Sequence, residues 1–235
     1  MVSPTVLSTI HIEIQVELIF SLIIMAALCI FFIYAGKKVM AADPLEKPHG
    51  VVLVCETGIE MIYNYMKSIM PSQFEKNYYP YFAMMFVYLI VANLSGLIGF
   101  DAPTSNYSIT LAITLITFAL IQYNSFKKKG GLAYIKDLVW PPTNILSAVS
   151  PLISLSMRLF GNILSGTIIM TMVYAFGSWL SSLVPFIGQF NFIGPIIAPV
   201  LHAYFDVFSG FIQMFIFITL TQVYIGNELP IEENK

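Results

Sequence analysis

One arginine lies inside an apolar helical run, and its position calls for a chemical explanation. Arg158 is the only arginine in the chain, and about a dozen mostly apolar residues separate it from either predicted end of its helix, which is further than its side chain reaches. An arginine at the centre of a membrane helix opposes insertion by roughly 2.5–3.5 kcal/mol, so such a cation indicates a role in a substrate or ion pathway. The alternative is an interfacial arginine that only anchors a helix end.

Polar residues share one helical face with this cation. Ser154, Arg158, Asn162 and Ser165 follow one another at spacings of four, four and three, which places them together on a helix. Small residues beside them permit another helix to approach closely, so simple helix packing is an alternative interpretation. Packing accounts for the glycines, but it does not account for the guanidinium.

A second polar stripe lies on the last apolar segment, formed by His202, Asp206, Ser209, Gly210 and Gln213. Asp206 is the only acid in the interior of a predicted span. A carboxylate there must pair, stay protonated or face water. Two compatible interpretations follow, namely a place in an ion pathway or a structural salt bridge between Asp206 and Arg158.

Other kinds of chemistry lack their sequence signals. The serines near His202 and Asp206 show no nucleophile-elbow spacing, and no glycine-rich phosphate loop is present. His11, His49 and His202 have no repeated ligand spacing, and Cys29 and Cys55 suggest neither a disulfide framework nor a metal site. We therefore predict no catalytic residue, no metal and no cofactor.

The composition indicates a membrane protein. Hydrophobic residues make up 57% of the 235 residues and charged residues only 10%, whereas about a quarter charged is usual in a soluble domain. The net charge of −2 leaves no basic surface for nucleic acid. Without an internal repeat, the chain is predicted to be a single integral membrane domain, residues 1–235.

Five apolar segments are predicted to cross the bilayer, at about 18–35, 81–100, 108–126, 144–179 and 196–224. The fourth is roughly 50 Å long against a hydrocarbon core of about 30 Å, so it must tilt strongly or kink at Pro151. Residues 49–70 differ, because Glu56, Glu60 and Lys67 share one face. This segment is predicted to be an amphipathic helix on the cytoplasmic surface.

The lysines predict the orientation. All ten fall on one side of this topology, and the positive-inside rule makes that side cytoplasmic, with the N-terminus outside and the C-terminus inside. The N-terminal segment lacks the basic region of a signal peptide. Without a transit peptide, we expect a bacterial cell membrane.

The motif Ser-Met-Arg158-Leu-Phe-Gly-Asn162, followed by Ser165-Gly166, resembles subunit a of rotary F-type ATP synthases. The resemblance implies an all-α polytopic stator subunit whose last two helices are long and tilted against a rotor ring of small hairpin c subunits. It also implies peripheral-stalk b subunits as partners, beside the rest of the complex and the bilayer. The chain would supply two half-channels for H+ or Na+, and the phosphoryl chemistry would occur elsewhere in the complex.

Residue roles follow from the same resemblance. Arg158 matches the family's essential arginine, which keeps the passing rotor carboxylate ionised and blocks a direct leak. Asn162 and Gln213 match the family's asparagine and glutamine, and Gln213 is expected near Arg158. Asp206 falls where relatives have a histidine or an acid, which implies a place in the outer half-channel.

Two departures affect the channel lining. Thr167 stands where many relatives have an acid or a histidine, and Asn144 stands near the inner end where many have glutamate. We expect the half-channels to be lined by Asn144, Ser154, Ser165, Thr167, His202 and Ser209.

Two rival functions remain open from the sequence. One is a secondary transporter in which Arg158 binds an anionic substrate, although the paired broken helices typical of that class are not visible. The other is a purely structural subunit of a respiratory complex, in which neutralising Arg158 would leave ion flux intact.

Overall fold

A computed structural model describes residues 15–43, 47–70, 75–98, 102–183 and 193–229, and every regular element in these ranges is helical. The eight α-helices are α1 (Val16–Met40), α2 (Val51–Lys67), α3 (Glu75–Leu94), α4 (Tyr107–Lys129), α5 (Gly131–Val139), α6 (Thr143–Ser182), α7 (Ile193–His202) and α8 (Gly210–Glu228). A π-helical segment, Ala203–Ser209, joins the last two. Among the described residues, five helical stretches are long and apolar enough to cross a membrane, which confirms the predicted all-α polytopic fold.

The predicted apolar segments coincide with these long helices. The first, third and fourth segments lie wholly within α1, α4 and α6. The second begins within α3, and its predicted end at 99–100 lies outside the described residues. Helix α6 has 40 residues and continues through Pro151, so it is about 60 Å long. Its tilt in a bilayer stays a prediction.

The last predicted segment, 196–224, falls within one continuous helical stretch, and the structure adds a local change of helix type inside it. Here α7 passes into the π-helical segment before α8 begins. A π turn widens the backbone ladder locally, and such turns are frequent at functional sites. The side chain of Asn93, on α3, donates from Nδ2 to the Gly210 carbonyl at 3.0 Å, a contact from a distant part of the chain that hydrophobic periodicity does not encode.

Helix α2 corresponds to the predicted amphipathic segment 49–70. Its buried residues are Val52, Ile62 and Met66, while Glu56 and Glu60 are exposed. This division between a packed apolar face and an exposed acidic face agrees with the amphipathic pattern. Its location at the membrane surface stays a prediction.

The core is built mainly by α3, α6 and α8. Fully buried side chains include Phe82, Leu89, Leu155, Leu159, Met214, Phe217 and Ile218. Helix α4 contributes a buried polar face instead, with Thr110, Thr114, Thr117, Asn124 and Ser125. Tyrosines of α3 bond to this face: Tyr81 bonds to Thr117 and Tyr78 donates to Asn124, both at 2.6 Å. Such interhelical hydrogen bonds satisfy polar groups that would otherwise be costly to bury.

Candidate functional site: two cavities on either side of Arg158

A cavity of about 280 Å³ lies between α6 and the π-helical segment. It brings together four of the predicted site residues, Asn162, Thr167, His202 and Asp206. We call it the outer cavity, after the side to which the predicted topology assigns it. Its other polar lining includes Asn93, Ser105 and Thr171.

An imidazole–carboxylate pair lines the outer cavity. His202 Nδ1 lies 2.6 Å from Asp206 Oδ2, and the Asp206 side chain is three-quarters buried while that of His202 is about half exposed. The two residues are one helical turn apart, so they share a face of the chain. The pair can hold or pass a proton between two titratable groups that border the same cavity.

Asp206 therefore pairs with His202, and no ion pair joins it to Arg158. This geometry disfavours the alternative in which the two charged groups form a structural salt bridge. Arg158 is exposed on α6, and within the described ranges its side chain makes no hydrogen bond or ion pair. Its guanidinium, with five N–H donors, is left available for a group outside this chain.

Two side-chain amides near the level of Arg158 have a buried nitrogen atom, one on α6 and one on α8. Asn162 Oδ1 accepts a hydrogen bond from Ser209 Oγ at 2.8 Å, which joins α6 to the π-helical segment. The Nδ2 of Asn162 and the Nε2 of Gln213 are buried without a partner among the described residues. An unpaired buried donor is costly, so both amides are suited to donate to water or to an acceptor on another molecule.

A second cavity, of about 470 Å³, lies at the other end of α6 and α8. Its polar lining includes Ser125, Tyr134, Asp137, Asn144, Ser147 and Glu228. We call it the inner cavity. Asn144 Nδ2 donates to the Asp137 backbone carbonyl at 2.7 Å, and Lys129 Nζ lies 2.5 Å from Asp137 Oδ2. Burial raises the pKa of Tyr134, whose hydroxyl donates to Gln122 at 2.5 Å, so at neutral pH the phenol remains a hydrogen-bond donor.

The two cavities do not occupy the same level of the bundle. Along α6 the inner cavity ends at Pro151 and the outer cavity begins at Asn162, which leaves Arg158 about 10 Å from the first and about 6 Å from the second along the axis. Along the last helix, Gln213 lies between their lining residues in the same way. Between the cavities, Leu155, Leu159 and Phe217 are at most 1% exposed, so this layer is apolar and closely packed.

The structure does not bring every predicted residue to a cavity. Ser165 Oγ donates to the Asn162 backbone carbonyl at 2.9 Å within its own helix. Thr167 also bonds within α6, to the Ile163 carbonyl at 3.1 Å, although it lines the outer cavity. Ser154 is half-buried on α6 and Ser209 bonds to Asn162, and neither is among the residues that line the two cavities.

Two further residues were not singled out from the sequence. Asn93 lines the outer cavity, and an asparagine inside an apolar span is itself a signal that could have identified it. Asp137 lines the inner cavity, but in the sequence it is one charge in a lysine-rich loop. The turn between α4 and α5 places it beside Lys129, and the short connection from α5 to α6 places it beside Asn144.

The chain is similar to known proteins over most of its length. The family model described as ATP synthase A chain matches residues 18–226. The chain is 31% identical to ATP synthase subunit a of Mycoplasma genitalium over 220 residues, which covers 86% of this chain and 75% of that protein. It is 29% identical to ATP synthase subunit a of Helicobacter hepaticus, with 91% and 89% covered, and 28% identical to that of Streptococcus agalactiae serotype III, with 92% and 90% covered. The chain therefore belongs to the ATP synthase A chain family, the ion-translocating membrane subunits of the Fo sector.

Proposed function

We propose that the outer and inner cavities are the two half-channels of the stator and that Arg158 separates them. The observation that carries this proposal is their placement at different levels of α6, with the arginine and an apolar layer between them. An ion entering one cavity then cannot reach the other through the chain itself. It must travel on a carrier that passes Arg158.

The carrier is a carboxylate on each small hairpin subunit of a rotor ring. A carboxylate that approaches Arg158 meets a guanidinium with no ion pair among the described residues. An opposite charge at short range lowers the pKa of a carboxylate, so the arriving group releases its ion. The fixed positive charge also repels free cations and prevents them from crossing without the rotor.

The buried amides assist at this level. The free N–H groups of Asn162 and Gln213 donate to the rotor carboxylate or to water beside it. These hydrogen bonds favour the ionised carboxylate further, because bonding to the charged form lowers its pKa.

The outer cavity delivers protons through the His202–Asp206 pair. Asp206 accepts a proton from water in the cavity, and His202 shares it at 2.6 Å. Thr167 and Ser209 contribute hydroxyls near this route. On the inner side, Asn144, together with Asp137 and Ser147, lines the cavity through which the ion leaves or enters.

The chain is a multi-pass membrane protein that functions with the rest of the ATP synthase complex. We assign the inner cavity to the cytoplasmic side of a bacterial cell membrane, with the N-terminus outside. The four lysines at 127–129 and 136 support this assignment, since they cluster at that end of α4 and on α5. Peripheral-stalk b subunits complete the stator in this proposal.

The proposal is tested by ATP-driven proton pumping in inverted vesicles that carry Arg158→Ala. We expect pumping to be lost while the complex assembles, because the rotor carboxylate would no longer release its ion. Met157→Ala is the matched control, since Met157 is an exposed neighbour on the same helix and its replacement is expected to leave pumping intact.

Passive proton leak is recorded in the same vesicles without ATP. Loss of pumping in an assembled Arg158→Ala complex supports the coupling role. Pumping at the wild-type rate by that complex would show that Arg158 is not needed for coupling and would overturn the proposal.

A further inference from the structure

Helix α5 presents an apolar face that no described residue covers. Leu132, Ile135 and Val139 are 90%, 55% and 59% exposed, and the following Trp140 is 75% exposed. Spacings of three and four place the three aliphatic side chains on one side of the helix. A set of large apolar side chains this exposed indicates a surface that meets another apolar phase.

The opposite side of α5 packs against α4 and bonds to it. Tyr134 donates to Gln122 and its ring packs on Phe126 with centroids 5.9 Å apart. Asp137 pairs with Lys129 of α4. These contacts fix the rotation of α5, so the exposed apolar face is a consequence of the fold and cannot be removed by turning the helix.

The turn before α5 sets its position relative to the membrane. Gly130 adopts φ +79°, which favours glycine, and a Cβ at Gly131 would lie 2.9 Å from the Phe126 ring. Helix α5 therefore begins directly where the membrane-crossing helix α4 ends at Lys129. If α4 crosses the bilayer as its length and composition indicate, α5 follows at the level where one leaflet meets water.

The lysines next to the apolar face of α5 favour anionic lipid headgroups as the partner of this surface. The side chains of Lys127 and Lys136 make no hydrogen bond or ion pair to any part of the chain that the structure describes, whereas those of Lys128 and Lys129 bond to Asn227 and Asp137. Exposed lysines beside an apolar face with a neighbouring tryptophan are typical of helices that lie in the headgroup region of a bilayer. Anionic headgroups are attracted to such lysines.

We infer that α5 is a membrane-interface anchor, with Leu132, Ile135, Val139 and Trp140 inserted at the headgroup–acyl boundary and Lys127 and Lys136 bound to anionic headgroups. This surface is separate from the predicted interfacial helix α2. It holds one wall of the inner cavity against the leaflet surface, because Tyr134 and Asp137 of the same helix line that cavity.

The two tryptophans of the chain make this inference measurable. In the Trp179→Phe variant, Trp140 is the only tryptophan of this chain. The purified full-length chain is placed in phosphatidylcholine vesicles that contain phosphatidylglycerol and lipids spin-labelled either near the headgroup or at the acyl-chain end. We expect the headgroup-level label to quench Trp140 fluorescence about twofold more strongly than the deep label, as for an interfacial indole.

The same sample shows whether Trp140 lies instead in water or deeper in the bilayer. Stronger quenching by aqueous iodide than by either lipid label would place Trp140 in water and overturn the inference, as would stronger quenching by the deep label. Omitting phosphatidylglycerol is expected to reduce the headgroup-level quenching, and the double variant Lys127→Gln/Lys136→Gln is expected to lose that lipid dependence. A lipid dependence that survives in the double variant would overturn the role of these two lysines.

A second experiment identifies what covers α5 in the assembled synthase. A photoreactive amino acid in place of Ile135 is expected to form adducts with phospholipid, detected by mass spectrometry. The same group in place of Leu138, which is half-buried and lines the inner cavity, is the matched control and is expected to react within the chain. Adducts between position 135 and another subunit would show a protein cover and overturn the inference, even where Arg158→Ala behaves as proposed.

Discussion

At the scale of single residues, the proposed proton route depends on one carboxylate in the outer cavity. Asp206 is the only acid among the described residues that line it, and its Oδ2 bonds to His202. The chain thus places both titratable groups of this route on one helix. Thr167 and Asn93, which also line the cavity, donate or accept hydrogen bonds but do not ionise.

Asp206→Asn removes the titratable oxygen while keeping the size and shape of the side chain. We predict that ATP-driven proton pumping falls by about tenfold or more, because proton transfer then lacks its acid–base group. Asp206→Glu retains the carboxylate and is expected to keep part of the pumping activity. Pumping is measured by quenching of a pH-sensitive dye in inverted vesicles with assembly verified, and unchanged pumping by Asp206→Asn would exclude this carboxylate from the route.

At the scale of elements, the last helix changes type locally, and a side chain from another helix bonds to it at that point. Thr104 donates to Asn93 Oδ1 at 3.0 Å, and Asn93 donates to the Gly210 carbonyl at 3.0 Å. The π-helical segment ends just before Gly210 and contains Asp206 and Ser209. This buried chain of hydrogen bonds therefore helps to orient the residues that face α6.

Gly210 permits the close approach of Asn93. A Cβ at position 210 would lie 3.2 Å from the Asn93 Cβ, so a larger residue must push α3 and the last helix apart. We predict that Gly210→Val destabilises the subunit by about 1–3 kcal/mol through overpacking. Thermal unfolding of the purified chain in detergent, followed by helical circular dichroism, measures the change.

The same helix offers a control for this prediction. A Cβ at Gly226 would meet nothing within 4 Å, and alanine is a better helix former than glycine by about 0.5–1 kcal/mol. Gly226→Ala is expected to leave stability unchanged or raise it slightly. Equal loss of stability in the two variants would contradict the role given to the contact between Asn93 and Gly210.

At the scale of the whole molecule, coupling requires that the two cavities stay separated. Buried apolar side chains of α6 and α8, among them Leu159 and Phe217, are packed between them at 0% exposure. A layer of this kind excludes water, since protein interiors have few voids that could hold it. In the proposed mechanism, Arg158 adds an electrostatic barrier at the same level.

Leu159→Ser shortens the apolar layer and introduces a hydroxyl. We predict that passive proton leak through vesicles carrying the assembled complex rises severalfold, because the vacated volume and the hydroxyl admit water between the cavities. Met172→Ser is the control, since Met172 is 65% exposed on the same helix. A leak as low as in the wild-type complex would show that the apolar layer is not required for separation.

The amino-acid sequence by itself determined the class of the protein, the number of long apolar helices and the polar faces on two of them. Those features depend on local composition and on periodicity along one helix, so the spacing of four puts His202 and Asp206 on one face, whereas their hydrogen bond is seen only in the structure. Arg158 stands out for the same reason, because an isolated charge in an apolar run is visible without any partner.

The tertiary structure alone decided which polar residues share a cavity and which form hydrogen bonds only within their own helix. Asp137 reaches Lys129 because the glycine turn after Lys129 folds α5 back on α4, and Asn93 reaches Gly210 across 117 residues of chain. Ser165 shares a face with Arg158 in the sequence, yet its hydroxyl is satisfied by the backbone of α6. Contacts between helices depend on their rotation and spacing in the packed bundle, and the pattern along one helix carries no information about either.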